Sequence, residues 1–193
     1  MKHTRLSPLL LLALTLTACA IGGQAEARQP AIPLATCRLN GGVMAQCGEL
    51  LVYEDRAAAA GRQIALNIAV VPATGSSNVV EDAPLFLLAG GPGEAAVETF
   101  PLALSVFADV NRNRDIVLVD QRGTGESNGL NCEVLEDETL PADLPDEQQI
   151  ALLDQCRVDL AERADLSLYP TDDFVADLDD VPAALDYDTI NLY

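Results

Sequence analysis

Four apolar residues, Ile64, Leu66, Ile68 and Val70, alternate with Gln63, Ala65, Asn67 and Ala69. A period of two predicts a strand with one buried face. A shorter strand is predicted from Glu49 to Tyr53, and the turn from Asp55 to Gly61 makes the two an antiparallel hairpin. Further on the pattern changes. From Pro84 the chain runs P-L-F-L-L-A-G-G-P-G, an unbroken apolar stretch closed by three glycines and a proline. A run apolar on both faces and ended by Gly and Pro predicts a central strand of a parallel sheet. Asp115 to Asp120 (D-I-V-L-V-D) repeats the plan, with Gln121-Arg122-Gly123-Thr124-Gly125 as the loop at its end. About 20 residues lie between the first bend and the second strand, which is the spacing of a parallel βαβ unit.

Between those strands, Glu94 to Val110 carries Ala95, Ala96, Val97, Leu102, Leu104, Val106 and Phe107 and is interrupted by Pro101. Two short helical pieces are predicted, with Glu94 where a carboxylate favours a helix N-terminus. Thr74 to Asn78 and Cys132 to Pro145 are polar or Pro-containing and predict loops. Asp146 to Ala164 places Ile150, Leu153, Cys156, Val158 and Leu160 at roughly helical spacing. A last helix starts at Thr171, a candidate N-cap followed by Asp172 and Asp173. Its Phe174, Leu178, Val181 and Leu185 share one face at i, i+4, i+7 and i+11. Its aspartates are expected on the other side, as a solvated face or a surface for cationic peptides. Thr189 to Tyr193 begins a further strand, which makes five strands with helices between them.

The chain has 193 residues, 49% of them hydrophobic, enough for one domain with a core. Eleven Lys and Arg against 30 Asp and Glu give a formal charge of -19, so nucleic acid and anionic lipid surfaces repel it. The single histidine is His3, and no His, Cys or carboxylate cluster has metal-ligand spacing. No cofactor signature is present. Gly90 to Gly93 lacks the Lys-Ser/Thr of a phosphate-binding loop, and Pro92 spoils a dinucleotide fingerprint.

Lys2 and Arg5 precede an apolar run from Leu9 to Leu16, the pattern of a secretory signal. The run reaches Leu16-Thr17-Ala18-Cys19, which resembles the bacterial lipobox. That resemblance implies a signal peptide over 1–18, lipidation of Cys19, and attachment to the cell envelope through the lipid alone. Cleavage after Ala25-Glu26-Ala27 is the competing expectation, and gives a periplasmic or secreted chain. Residues 19–36, rich in Ala, Gly, Gln and Pro, are expected to be a tether, and 37–193 the domain. Without Cys19 the cysteines are Cys37, Cys47, Cys132 and Cys156, an even set in a chain bound for an oxidising compartment. Three pairings are open, of which Cys37 with Cys47 and Cys132 with Cys156 is the local one.

L-A-G-G-P-G followed about 30 residues later by D-Q-R-G-T-G-x-S resembles the α/β-hydrolase aminopeptidases of the proline iminopeptidase and tripeptidyl aminopeptidase type. Ala89, where close iminopeptidases have His, leans toward the tripeptidyl branch. The resemblance implies an oxyanion hole built partly by the backbone of Gly90 and Gly91, and no cofactor. It also implies a structural loop formed by Asp120, Arg122, Gly123 and Gly125, and a Cys132 to Cys156 disulfide. Asp120 and Arg122 are expected to pair with each other or with backbone to hold the turn. The last helix departs from the family in Pro182, which removes a backbone hydrogen bond, and in Asp186, where a Gly would close the helix.

The segment from Tyr169 to Tyr193 resembles the family's lead into its nucleophile elbow, where the catalytic Ser sits, with acid and His later still. The fold class implied is α/β, the N-terminal half of an α/β-hydrolase truncated before that elbow. The activity implied is that of an exported serine peptidase releasing residues or short peptides from peptide N-termini, with this stretch alone inactive. The alternatives are a non-catalytic lipoprotein on the same scaffold, or an esterase or lipase of the same fold. Gly125-Glu126-Ser127-Asn128-Gly129 matches G-x-S-x-G, but it follows no strand directly and enters no helix, and no His beyond His3 is there as general base. Ser127 is therefore expected to belong to the loop.

Overall fold

The computed structural model describes residues 31–75, 83–132 and 144–193. Its strands and helices in chain order are β1 (Ala35–Arg38), β2 (Met44–Tyr53), β3 (Gln63–Val71), β4 (Leu85–Leu87) and α1 (Ala96–Thr99). There follow α2 (Ala108–Asn111), β5 (Ile116–Val119), α3 (Asp146–Ala161), α4 (Thr171–Ala184) and β6 (Asn191–Leu192). A 3-10 helix over Phe100–Phe107 joins α1 to α2. The strands form one mixed six-stranded sheet in the order β1-β2-β3-β5-β4-β6.

The predicted hairpin is β2 and β3, antiparallel with Tyr53 opposite Gln63 and Gln46 opposite Val70. β4 lies between β5 and β6 and is parallel to both. Its three residues are all buried because successive side chains enter different cores. On one face Phe86 joins Leu66, Ile68, Val117 and Val119 under Phe174, Leu178, Val181 and Leu185 of α4. On the other, Leu85 and Leu87 join Ala69, Ile116 and Leu118 beneath Ala96, Leu104 and Phe107. A sheet covered on both faces explains why its inner strands are apolar throughout while β3 alternates at its outer end.

Several expectations change in detail. β1 is a sixth strand, and it begins inside the stretch expected to be a tether. Ile32 and Leu34 pack against the core, and the Ala31 N–H donates to the Ala184 carbonyl at 2.8 Å. The two helical pieces expected over Glu94 to Val110 are three, because Pro101 sits in the first turn of the 3-10 segment and is buried there. α3 stops at Ala161, and its inward residues are Leu152, Cys156 and Leu160, leaving Ile150, Leu153 and Val158 exposed. Thr171 is the first helical residue of α4 and not its cap; Pro170 holds the cap position, with no side-chain bond to the helix. α4 continues through Pro182 to Ala184, and Asp186 takes the left-handed φ of 63° that a closing Gly would otherwise supply.

The disulfides are Cys37–Cys47, between β1 and β2, and Cys132–Cys156. Both belong to an oxidising, extracellular or periplasmic setting. Among the described residues no helix is long and apolar enough to cross a membrane. The signal peptide over 1–18, Cys19, the tether up to residue 30, and most of the loops at 74–78 and 132–145 lie outside the described residues.

Phe86 has no exposure and fills the centre of the α4-side core. Phe86→Ala is expected to lower unfolding free energy by about 3–5 kcal/mol, measured by urea titration with far-UV circular dichroism.

Candidate functional site

The two glycine-rich bends leave the C-terminal ends of β4 and β5, adjacent parallel strands, and so emerge at the same edge of the sheet. In the first bend Gly91 and Gly93 have φ of 112° and 96°, values side chains disfavour, and the Gly91-Pro92 bond is cis. The Glu94 N–H closes the bend on the Gly90 carbonyl at 3.2 Å. Among the described residues no acceptor takes the N–H of Gly90 or Gly91, and a Cβ placed on Gly90 would meet nothing within 4 Å. Both glycines are exposed, and a Cβ on Gly91 would come nearest to Glu94 and Gly93 of the same bend.

The second bend is packed tightly. Asp120 is wholly buried, and its carboxylate accepts from the Val97 N–H at 2.8 Å, the Asn67 side-chain amide at 2.8 Å and the Glu126 N–H at 3.4 Å. One side chain thereby joins β3, the start of α1 after the first bend, and the loop of the second. A Cβ on Gly125 would fall 2.5 Å from Asp120 Oδ2 and 2.6 Å from Ala95 Cβ, so only glycine lets the loop approach this closely. Gly123 has φ of 85°, and its N–H and carbonyl bond Ser127 and Leu130, folding the loop back on itself.

Asp120 and Arg122 do not pair with each other, because Asp120 is already surrounded by donors from β3 and α1. The buried Arg122 guanidinium instead forks onto Asp177 of α4, Nε to Oδ2 at 2.6 Å and Nη2 to Oδ1 at 2.8 Å. It also donates to the carbonyls of Glu54 at 3.0 Å and Leu168 at 2.6 Å, and lies 5.9 Å from the centre of the Tyr169 ring. Arg56 bonds Asp177 Oδ1 and Asp180 Oδ2, each at 2.7 Å. Burial opposes the Arg56 charge, but the hydrogen bonds to Asp180 and Asp177 outweigh it and raise the guanidinium pKa further. Close by, Glu54 accepts from the Tyr169 hydroxyl at 2.9 Å, the Asp165 N–H at 3.1 Å and Arg62 at 3.3 Å. The Asp165 carboxyl is held below its usual range by bonds from the Ser167 hydroxyl and N–H.

Ser127 has no exposure, and its Oγ accepts the Asn67 N–H at 2.8 Å. Its hydroxyl faces β3. The described residues contain no histidine, and none of their His, Cys, Asp and Glu side chains group to hold a metal ion. The structure thus sets Gly90 and Gly91 at the same end of the sheet as Asp120, Gly123 and Gly125, and turns Arg122 toward α4.

Glu54, Asn67, Tyr169 and Asp177 complete the polar layer and were not singled out by their residue types. For Asp177 a signal existed: it lies three residues after Phe174 and four before Val181, on the apolar stripe and not on the solvated face expected for the α4 aspartates. Asp172, Asp179 and Asp180 do occupy that exposed face. Comparison with protein-family models and with curated proteins found no match.

Two expected outcomes follow from this layer. Asp177→Asn leaves two arginines without their shared carboxylate and is expected to cost about 3–5 kcal/mol in urea unfolding, against less than about 0.5 kcal/mol for Asp172→Asn. Burial, then the bond to Glu54, pushes the Tyr169 hydroxyl up from 10.0 to about 12. Its contribution to stability is therefore complete below pH 10, where folded and unfolded forms both keep the proton, and is lost as pH rises from 10 to about 12. The urea midpoint is expected to fall across that window, and Tyr169→Phe to flatten the fall.

Proposed function

We propose that this chain is the N-terminal part of an exported serine hydrolase of the aminopeptidase type, built on the α/β-hydrolase fold. One observation carries the reading: two glycine-rich bends cap neighbouring parallel strands, are tied through the contacts of Asp120 with Val97 and of Gly125 with Ala95 just after the first bend, and leave Gly90 and Gly91 exposed, their N–H groups taken by no acceptor among the described residues. Bare N–H groups at the end of a central strand can hold an oxyanion where a carbonyl is attacked.

In the complete enzyme a Ser, an Asp and a His supplied by the continuing polypeptide do the covalent work. The Ser hydroxyl attacks the carbonyl of a peptide bond near the substrate's free N-terminus. The His takes its proton and passes it to the leaving amine, the Asp orients the His, and the Gly90 and Gly91 N–H groups hold the negative oxygen. Losing one such donor typically costs about 10²- to 10³-fold in rate. The Asp120 brace keeps those donors in place and touches no substrate. Cys19 would carry the lipid that retains the enzyme at the cell envelope, and the two disulfides suit that compartment.

A fluorophosphonate probe applied to this chain, and to the product of the whole reading frame that contains it, tests the proposal. The expected result is no label on residues 31–193 and a single labelled serine beyond Tyr193, with hydrolysis of aminoacyl or tripeptidyl chromogenic amides. A labelled Ser127, or an open downstream frame whose product neither reacts nor hydrolyses, contradicts it.

A further inference from the structure

α3 is the one long helix of the described residues that owes almost nothing to the core. Of its 16 residues only Cys156 is buried, 4% exposed, and that side chain is half of a disulfide. Leu152 and Leu160 are half-buried beside it, while Ile150, Leu153 and Val158 are 59%, 53% and 48% exposed. Its side-chain hydrogen bonds and ion pairs, among the described residues, stay within the helix or reach only Leu144. It has no side-chain N-cap and no basic residue in its last turn. A helix of this length with so little local support is marginal in water when alone.

The other disulfide stands in a different setting. Cys37–Cys47 joins β1 to β2, which a four-residue ladder already holds together. The chain that follows α3 is fixed independently: Ala164 is buried, Asp165 N–H bonds Glu54, and Arg163 donates to the Gly129 carbonyl at 2.9 Å. Among the described residues, what secures the body of α3 is thus the bond from Cys156 to Cys132.

We propose that the Cys132–Cys156 disulfide is a latch: closed, it docks α3 as a helix, and opened by a dithiol it releases residues 146–161 as a melted segment while the sheet stays folded. In the opening step a thiolate of the dithiol attacks the half-buried Cys132 sulfur and displaces the Cys156 thiolate, which takes up a proton. The second thiol of the reagent then expels Cys132, leaving two cysteine thiols and one oxidised reagent disulfide. Release removes Arg157 and Ala161 from one wall of the cavity, about 450 Å³, that they share with Arg62 and Ser167. The inference is independent of the hydrolase reading, since it rests on α3 alone.

Hydrogen exchange read by mass spectrometry on the whole chain tests it, with the protein oxidised, treated with dithiothreitol, and as the variants Cys132→Ser/Cys156→Ser and Cys37→Ser/Cys47→Ser. Loss of the Cys132–Cys156 bond, by reagent or by substitution, is expected to speed exchange over 146–161 by about a hundredfold or more while β3 and β5 keep their protection. The Cys37→Ser/Cys47→Ser variant is expected to exchange over 146–161 as the oxidised protein does. Unchanged protection of 146–161 after the bond is lost overturns the proposal, and so does a sheet that loses protection together with α3.

Discussion

A single buried carboxylate holds the two bends together. Asp120 sits at the end of β5 with no exposure and accepts hydrogen bonds from Val97, Asn67 and Glu126, three donors on three segments. A carboxylate in such a place is tolerable only because each donor compensates for lost water. The consequence is geometric. β3, the start of α1 and the second bend cannot separate without leaving a charge unpaired in the interior. Everything proposed about the edge of the sheet depends on that constraint, because the exposed backbone of Gly90 and Gly91 runs directly into the segment pinned at Val97.

Below this brace lies a second polar layer with a different task. Arg122 reaches back from the loop to Asp177, and Arg56 meets the same carboxylate from the end of the hairpin. Together they join α4 to the loop and to the chain after β2, with the Arg122 bond to the Glu54 carbonyl and the Arg56 bond to Asp180 as further polar links. Apolar packing under α4 supplies the non-directional share of stability, whereas the Arg122 fork fixes how α4 sits against the strand ends. A buried pair of this kind is weak evidence for stability in itself, and its clearest effect is the cost of removing one partner.

The parallel strands, the hairpin and the last helix were legible because each has a simple period: unbroken apolar runs for β4 and β5, alternation for β3, and a stripe from Phe174 to Leu185 for α4. β1 was not, since Ala35 to Arg38 has no period, and what makes it a strand is its ladder with the β2 edge. The glycines of the bends could be seen because φ above zero restricts residue type. The partners of Asp120 and Arg122 could not, because hydrogen bonds across 23 and 55 residues leave no mark in local pattern. Asp177 is the instructive case. A charged residue on an apolar stripe signals a buried polar partner, here Arg122, where composition alone assigns it to solvent.

The placing of the two bends depends on the grip of Asp120 upon the segment after the first. The amide exchange rate of Val97, measured by NMR in the unmodified protein, tests that grip directly. Val97 N–H is expected to exchange as slowly as the amides of β5, although it lies in the first turn of a helix of only four residues. Exchange at the rate of a solvent-exposed loop amide would mean that the bends are not held together, and the assignment of the Gly90–Gly91 edge would fall with it.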